Sequence, residues 1–286
     1  MQHKSLILLT LMLGTSMATI DSSIVSVSLP VIQKKFDTNL HSVEWVTTAY
    51  MVSFSLFIPL TNWLKNRIGY FNLFISSVII FTIGSLLCST AQSLPMLIAA
   101  RVLQASGGGA ISPTSLAILS DSFPKEERGT AIGWWGIGNV MGPAIGPTLG
   151  GILTHYFGWE SIFFVNIPIG IATILLSLKY LTYLKKQPKE KEHFDTNGFL
   201  WFGIFIVAIQ YSINLFSDPK GIGWILVFGL IASVVSFILY LKSAKKPDPL
   251  IDLSVFKSKV FISAAIITII RSLALYGGLF FLPFLL

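Results

Sequence analysis

Hydrophobic residues along this chain form long runs that are separated by short polar links. A helix that crosses a bilayer needs about 20 mostly apolar residues, and nine runs have that length. The pattern therefore predicts an all-α integral membrane protein in which consecutive helices are antiparallel neighbours. The nine predicted spans are Leu6–Ile32, Val43–Leu64, Phe71–Thr90, Leu94–Leu119, Ala131–Tyr156, Ile162–Tyr183, Gly198–Phe216, Trp224–Leu241 and Val260–Leu286.

Composition supports a membrane protein. Of the 286 residues, 53% are hydrophobic and 12% are charged, whereas soluble domains carry about 25% charged residues. The net charge of +7 by itself fits a nucleic-acid or acidic-lipid partner, but Lys and Arg concentrate in alternate links, as membrane topology requires. We therefore expect no nucleic-acid partner.

The distribution of positive charge predicts the orientation. With a cytoplasmic N-terminus, fourteen Lys and Arg residues lie in cytoplasmic segments and three lie in outer ones. This asymmetry predicts a multi-pass protein with its N-terminus in the cytoplasm. The cytoplasmic set is Lys4, Lys65, Arg67, Lys125, Arg128, Lys185, Lys186, Lys189, Lys191, Lys242, Lys245, Lys246, Lys257 and Lys259, and the outer set is Lys34, Lys35 and Lys220.

The fifth predicted span carries a glycine at every fourth position, which places these glycines on one stripe of a helix. Such a stripe lets a neighbouring helix approach closely. Two prolines follow two of the glycines, and a membrane helix tolerates proline where nearby groups satisfy the freed carbonyls. We therefore predict a closely packed, bent helix at a helix–helix seam. The run comprises Gly138, Gly142, Pro143, Gly146, Pro147, Gly150 and Gly151.

Two opposite charges fall at a similar depth inside predicted spans. Asp21 in span one lies roughly 22 Å from the cytoplasmic face, and Arg101 in span four lies roughly 20 Å from it. A carboxylate that is balanced between desolvation and a nearby cation can load and release a proton. The pair is a candidate proton-coupling site; the alternatives are a static ion pair or an Asp21 that faces an outer vestibule.

Other polar positions inside the spans leave two readings each. Gln104 and Gly108 share a helical face with Arg101, which indicates either a polar face along a pathway or simple close packing. Arg271 lies near the middle of span nine. It is either a substrate-site or proton-site residue, or the partner of a helix that this chain does not encode.

The sequence favours no enzyme chemistry. The four histidines lie in or beside links without ligand-like spacing, and the single cysteine lies in an apolar run. The glycines at 107–109 lack the lysine and the strand that a phosphate-binding loop requires. We therefore expect no catalytic residues, no metal site and no cofactor.

Together these motifs resemble those of the major facilitator superfamily, and within it the fourteen-helix drug:proton antiporter family. The glycine–proline run resembles the antiporter motif of helix five, and Arg101 with Gln104 and Gly108 resembles the motif of helix four. The segment that begins at Asp21 and ends at Pro30 resembles the motif of helix one. The resemblance implies that Asp21 is the proton-responsive acid and that Arg101 assists proton transfer.

The resemblance also implies a domain organisation, because the family fold has two six-helix bundles with two extra helices between them. It places an N-terminal six-helix bundle in 1–183, a cytoplasmic loop with two linker helices in 184–241, and a cytoplasmic loop with the first helix of an incomplete second bundle in 242–286. Arg67 and Gly69 match the family's gating loop between helices two and three.

The implied function is transport: proton-coupled antiport that exports drugs or other amphipathic compounds. The implied partners are a small-molecule substrate, protons, the lipid bilayer, and a periplasmic adaptor protein or a missing C-terminal half. Because the chain stops at Leu286 within an apolar run, the alternative is a truncated inactive remnant, or half of a split transporter that needs a partner chain. A shortened bundle that assembles with another membrane protein is a further alternative.

Overall fold

The predicted apolar runs fold as α-helices in the computed structural model of the chain, which describes residues 3–186, 193–216, 223–245 and 248–285. Lys189, Lys191, Lys220, Lys246 and Leu286, which enter the predictions of orientation and of span nine, lie outside the described residues. Short 3-10 helices cover Thr182–Lys186 and Leu253–Lys257. The α-helices are α1 Lys4–Lys35, α2 Leu40–Ser89, α3 Leu94–Ser122, α4 Lys125–Phe157, α5 Ser161–Phe164, α6 Asn166–Tyr180, α7 Thr196–Phe216, α8 Trp224–Ser243 and α9 Lys259–Leu285.

A single glycine divides α2 into two helical segments, 40–68 and 70–89. At Gly69 the backbone adopts φ 81° and ψ 159°, a region of backbone space that is essentially restricted to glycine. Spans two and three are therefore separated by one non-helical residue. This finding corrects the expected loop between them, because helical geometry continues up to Gly69 from both sides.

Both segments of α2 pack on the glycine-rich part of α3. A side chain at Gly109 would touch the carbonyl of Phe54 in the first segment, and one at Gly107 would touch the backbone of Phe81 in the second. Residues before and after the break at Gly69 thus lie at the same level beside α3, so the two segments run antiparallel, as predicted for spans two and three.

Local sequence signals set where several elements begin and end. The Asn39 side chain accepts a hydrogen bond of 2.8 Å from the Ser42 N–H and caps the start of α2. Gly158, with φ 83°, ends α4 in a conformation that side chains rarely permit. At the second 3-10 helix, the Ser254 N–H donates to the exposed Asp252 carboxylate at 2.8 Å and lowers the pKa of Asp252.

Helices α1 to α6 form one bundle around α1, which packs most extensively against α4 and also contacts α2, α3 and α6. Two clusters of buried apolar side chains fill the bundle. One includes Leu11 and Phe74, and the other includes Ile24 and Phe163. Asp21 lies on α1 between the residues that enter the two clusters, so a polar group sits where the two apolar clusters meet.

Six helical segments of the described residues are long and apolar enough to cross a membrane. Helix α4, which contains the predicted fifth span, is not among these six segments. The helices α7 and α8 pack against each other, and α7 also contacts α2. Together these helices make the chain a multi-pass membrane protein. The six segments are Lys4–Lys35, Leu40–Ser89, Leu94–Ser122, Ser161–Tyr180, Thr196–Leu215 and Trp224–Ser243.

Candidate functional site

The structure brings Asp21 and Arg101 into direct contact in the interior of the bundle. The Arg101 Nη1 donates to the Asp21 Oδ2 at 2.5 Å, and neither side chain has any solvent exposure. The other carboxylate oxygen, Oδ1, accepts hydrogen bonds of 2.8 Å from the amides of Gln104 and Asn166. The carboxylate on α1 is therefore held by three N–H donors, two from α3 and one from α6.

Several neutral groups also hold the guanidinium of Arg101. Its Nη1 donates to the Gln104 Oε1 at 2.6 Å, and its Nε donates to the Val46 carbonyl at 3.3 Å. Its central carbon lies 3.8 Å from the centroid of the Tyr50 ring, a cation–π arrangement. These contacts keep Arg101 partly compensated even when Asp21 is neutral.

Close packing of α2 on α3 positions Gln104. The Gln104 Nε2 also donates to the Ser85 hydroxyl at 2.7 Å, and a Cβ at Gly84 would lie 2.5 Å from the Gln104 Cα. One turn further along α3, a Cβ at Gly108 would lie 3.2 Å from the Tyr50 hydroxyl oxygen. The face predicted for Arg101, Gln104 and Gly108 thus points at the buried cluster.

The arrangement can link protonation to helix packing. An ionised carboxylate only accepts hydrogen bonds, whereas a protonated one also carries an O–H donor. All three groups that contact the Asp21 oxygens are N–H donors, so protonation of Asp21 adds an O–H donor that none of these three groups can accept. Because the donors belong to α3 and α6, protonation changes what holds α1 to its neighbours.

The glycine ladder of α4 packs on α1 beside this site. A Cβ at Gly138 would lie 2.8 Å from the Ser16 hydroxyl, one at Gly150 would lie 2.7 Å from the Ile24 carbonyl, and one at Gly142 would meet the Thr19 backbone. The seam predicted for this helix is therefore the α1–α4 contact.

Serine hydroxyls bridge the same seam. Ser16 donates to the Gly138 carbonyl at 3.1 Å, and Ser23 donates to the Gly142 carbonyl at 2.7 Å. Ser23 also lies against Gly146. Helix α4 continues through Pro143 and Pro147 without interruption, and Gly151 makes only an ordinary contact with Val27.

The predicted gating residues lie at one end of the bundle. The Arg67 guanidinium lies 5.2 Å from the centroid of the Trp63 ring, and that ring lies 4.8 Å from the Phe194 ring. Nearby, Asp195 caps α7 through the Gly198 N–H at 2.8 Å. The segment around the α2 turn therefore contacts the start of the predicted linker helices.

Arg271 lies apart from the Asp21 cluster. It lines a cavity of about 250 Å³ together with Thr19 and Ser22 of α1 and Asn139 and Pro143 of α4. Arg271 is exposed, and within the described residues α9 packs closely only against the 3-10 helix Leu253–Lys257, so both interpretations of Arg271 stay open.

Sequence reasoning did not identify Asn166, Ser85 or Tyr50 as parts of the buried cluster. Asn166 lies 145 positions from Asp21, and Ser85 and Tyr50 lie in different segments of α2. A signal was present for Asn166, since an amide at the start of an apolar helix has to be hydrogen-bonded in the membrane. The rotation of each helix, which decides the contact, was not readable from one sequence.

Comparison with known proteins assigns the chain to a family. A family model of the Major Facilitator Superfamily matches residues 11–286, and the chain belongs to this superfamily, whose members are transporters rather than enzymes. It is 34% identical over 286 residues to the riboflavin transporter RibZ of Clostridioides difficile (strain 630). The aligned region covers 100% of this chain and 61% of that protein. It is 32% identical over 283 residues to the multidrug export protein EmrB of Escherichia coli (strain K12). The aligned region covers 97% of this chain and 54% of that protein.

A solved structure supports the fold alone. The chain is similar to a bacterial homolog of the human lysosomal transporter Spinster in an inward-facing, unoccupied conformation, with a TM-score of 0.51, 21% identity, and coverage of 82% of this chain and 60% of that chain. The superfamily and the all-α membrane fold predicted from the sequence are thus confirmed. The chain spans 54% to 61% of the length of the two curated relatives.

Proposed function

We propose that this chain acts in proton-coupled export of drugs or other amphipathic compounds, with Asp21 as the proton-responsive acid and Arg101 as its partner. The observation that carries the proposal is the fully buried carboxylate with three N–H donors from two other helices. A buried ionisable group inside a membrane bundle is expensive, and here its protonation is tied to the packing of α1. The multidrug export protein EmrB of Escherichia coli is a relative, which supports the export direction.

The coupling follows from the contacts of the cluster. When Asp21 is ionised, it and Arg101 neutralise each other, and α1 is held to α3 and α6. When Asp21 binds a proton, the attraction to Arg101 is lost, while Arg101 keeps the Val46 carbonyl and the Tyr50 ring. Proton binding therefore favours a different position of α1. Glycine contacts along α4 let α1 move as a unit with its neighbour.

In this proposal the chain resides in the plasma (inner) membrane with its N-terminus in the cytoplasm. The helices α1 to α6 supply the first bundle (1–183), α7 and α8 are the linker helices (184–241), and α9 begins the second bundle (242–286). A periplasmic adaptor protein, or a second half with which the chain assembles, is a candidate partner.

A transport assay tests the proposal. The chain is reconstituted in proteoliposomes with an acidic lumen, and accumulation is followed for three dansyl probes that share one fluorophore: anionic dansylglycine, neutral dansylglycinamide and cationic dansylcadaverine. Antiport predicts gradient-dependent accumulation of at least one probe beyond that of protein-free liposomes.

Matched variants identify the acid. Asp21→Asn should abolish the gradient-dependent part of probe accumulation. Asp37→Asn, which changes a carboxylate outside the bundle interior, should retain it. Accumulation that is unaffected by collapse of the gradient, or unaffected by Asp21→Asn, contradicts the proposal.

A further inference from the structure

A cavity of about 630 Å³ lies at one end of the bundle, where α2 and α4 end and α5 begins. Its volume falls in the range of ligand-binding cavities, about 300–1,000 Å³. One carboxylate, that of Glu160, lines it, and we call it the Glu160 cavity. The orientation predicted from the positive charges places this end of the bundle on the side away from the cytoplasm.

The Glu160 carboxylate has no neutralising partner on its own chain. It is the only ionisable group among the described residues that line the cavity. Within the described parts of the chain it makes no hydrogen bond or ion pair, and its Oε2 lies 2.8 Å from the place that a Cβ at Gly158 would occupy. The carboxylate therefore lies over the turn between α4 and α5, where a charge beside apolar surface needs a counter-charge or water.

The hydroxyl groups of the cavity can only accept further hydrogen bonds. Ser89 and Thr90 both donate to a carbonyl one turn earlier in α2, at 2.8 and 3.0 Å, and Ser161 donates to the Gly158 carbonyl at 2.6 Å. Because a hydroxyl carries one hydrogen, these three groups offer a ligand only their oxygen lone pairs. Together with the Glu160 carboxylate, they favour a cation that carries several N–H donors.

The apolar side chains of the cavity lie deeper in the membrane than its polar groups. Leu153 lies one turn before the end of α4, and Pro168 lies seven residues after the start of α5, roughly 10 Å further into the bilayer. Phe157 and Phe164, which also line the cavity, are 73% and 60% exposed. The cavity therefore opens on the lipid-facing surface, with its polar end at the membrane surface.

We propose that the Glu160 cavity binds a membrane lipid with a primary ammonium headgroup. The ammonium lies at Glu160, and part of an acyl chain lies along Leu153 and Pro168. A primary ammonium carries three N–H donors and no acceptor, which matches the acceptor-only polar groups. A trimethylammonium headgroup lacks these donors, and Glu160 repels an anionic headgroup. A lipid fits better than a soluble cation because the lining changes from polar to apolar in the same direction as a lipid molecule does.

Native mass spectrometry of the purified chain in detergent tests the proposal. The chain is mixed with equal amounts of phosphatidylethanolamine, phosphatidylcholine and phosphatidylglycerol that carry the same two acyl chains, so that mass identifies each bound lipid and only the headgroup differs. The ethanolamine lipid should form about ten times as many one-lipid complexes as the choline lipid, because a hydrogen bond to a charged group contributes that much.

Three variants locate the preference. Glu160→Gln should remove it. Asp37→Asn is the matched control and should retain it, because Asp37 is an exposed carboxylate at the same end of the bundle, next to the Phe36 ring that contacts Trp159. Glu160→Lys should instead favour the anionic phosphatidylglycerol, a gain that a folding defect does not produce.

The contrary results are equally specific. An unmodified chain that binds the three lipids equally, or a Glu160→Gln chain that keeps the ethanolamine preference, overturns the proposal. Displacement of the ethanolamine lipid by an equimolar amount of dansylcadaverine, which carries the same ammonium on a small aromatic body, would also overturn it and assign the cavity to a soluble cation. The proposal does not rest on proton-coupled export, since the bound lipids are counted without a proton gradient.

Discussion

The Asp21 carboxylate and the Arg101 guanidinium lie 2.5 Å apart with no solvent exposure, and this contact joins α1 to α3. Eighty residues separate the two in sequence, and each lies inside an apolar run. Each residue neutralises the charge of the other inside the bundle. Loss of either charge would leave an unpaired buried charge, which is strongly destabilising.

A double-mutant cycle at this pair should show strong coupling. Asp21→Asn and Arg101→Gln should each lower the free energy of unfolding by about 3–5 kcal/mol, since each leaves one charge unpaired. The double variant should lose much less than the sum, because it removes both charges. Thermal or denaturant unfolding in detergent measures the three values. Additive losses would show that the contact is energetically unimportant.

Removal of the Asn166 donor should loosen the contact between α6 and α1. Asn166→Leu leaves the Asp21 Oδ1 with one N–H donor in place of two, and a hydrogen bond to a charged group contributes about 1.5–3 kcal/mol. Thermal unfolding in detergent should therefore show a lower melting temperature. Ser177→Ala on the same helix, where the hydroxyl donates within α6 to the Thr173 carbonyl at 2.6 Å, should melt closer to the unmodified chain. A melting temperature of Asn166→Leu at or above that of Ser177→Ala is the contrary result.

A methyl group in the glycine ladder should open the α1–α4 seam. A Cβ at Gly142 would lie 2.7 Å from the Ile20 nitrogen, and overpacking of this kind costs about 1–3 kcal/mol. Gly142→Ala should therefore lower thermal stability and transport together. Gly136→Ala on the same helix meets no atom within 4 Å and should raise stability slightly, since alanine favours helices by about 1 kcal/mol. Equal melting temperatures for both variants would rule out the close approach.

The turn within α2 should depend on glycine at position 69. Gly69→Ala forces a side chain into a backbone region with φ 81°, at a cost of about 1–3 kcal/mol. Although a Cβ there meets no neighbour within 4 Å, the variant should melt at a lower temperature for backbone reasons alone. Gly133→Ala, a helical glycine in open space, serves as the control. A Gly69→Ala chain that melts no lower than Gly133→Ala would contradict the turn geometry.

Much of the fold was readable from the sequence because bilayer thickness sets the length of each apolar run and the spacing of glycines marks the α1–α4 seam. The depth of Asp21 and Arg101 could likewise be counted along their helices. The rotation of each helix about its axis could not be predicted, since a hydropathy pattern in a membrane bundle does not distinguish lipid-facing from partner-facing surfaces. For this reason the sequence did not place Asn166 in the buried cluster, and it left two interpretations of the role of Arg271.

The helical continuation up to Gly69 also escaped prediction, for a different physical reason. Charged and amide residues at 62–67 suggested a loop, but at the membrane surface such side chains point into water while the backbone keeps its helical hydrogen bonds. Only the residue that reverses the chain must leave helical geometry, and the structure assigns that role to Gly69.

The central claim is that Asp21 exchanges a proton when the chain binds its substrate, and ligand-induced proton release tests it most directly. The purified chain in weakly buffered detergent solution is mixed with each dansyl probe at several pH values between about pH 5 and 9. A pH-sensitive dye measures the number of protons released. We expect at least one probe to release protons from the unmodified chain and from Asp37→Asn, and none to do so from Asp21→Asn. Equal proton release from Asp21→Asn and the unmodified chain would contradict the claim.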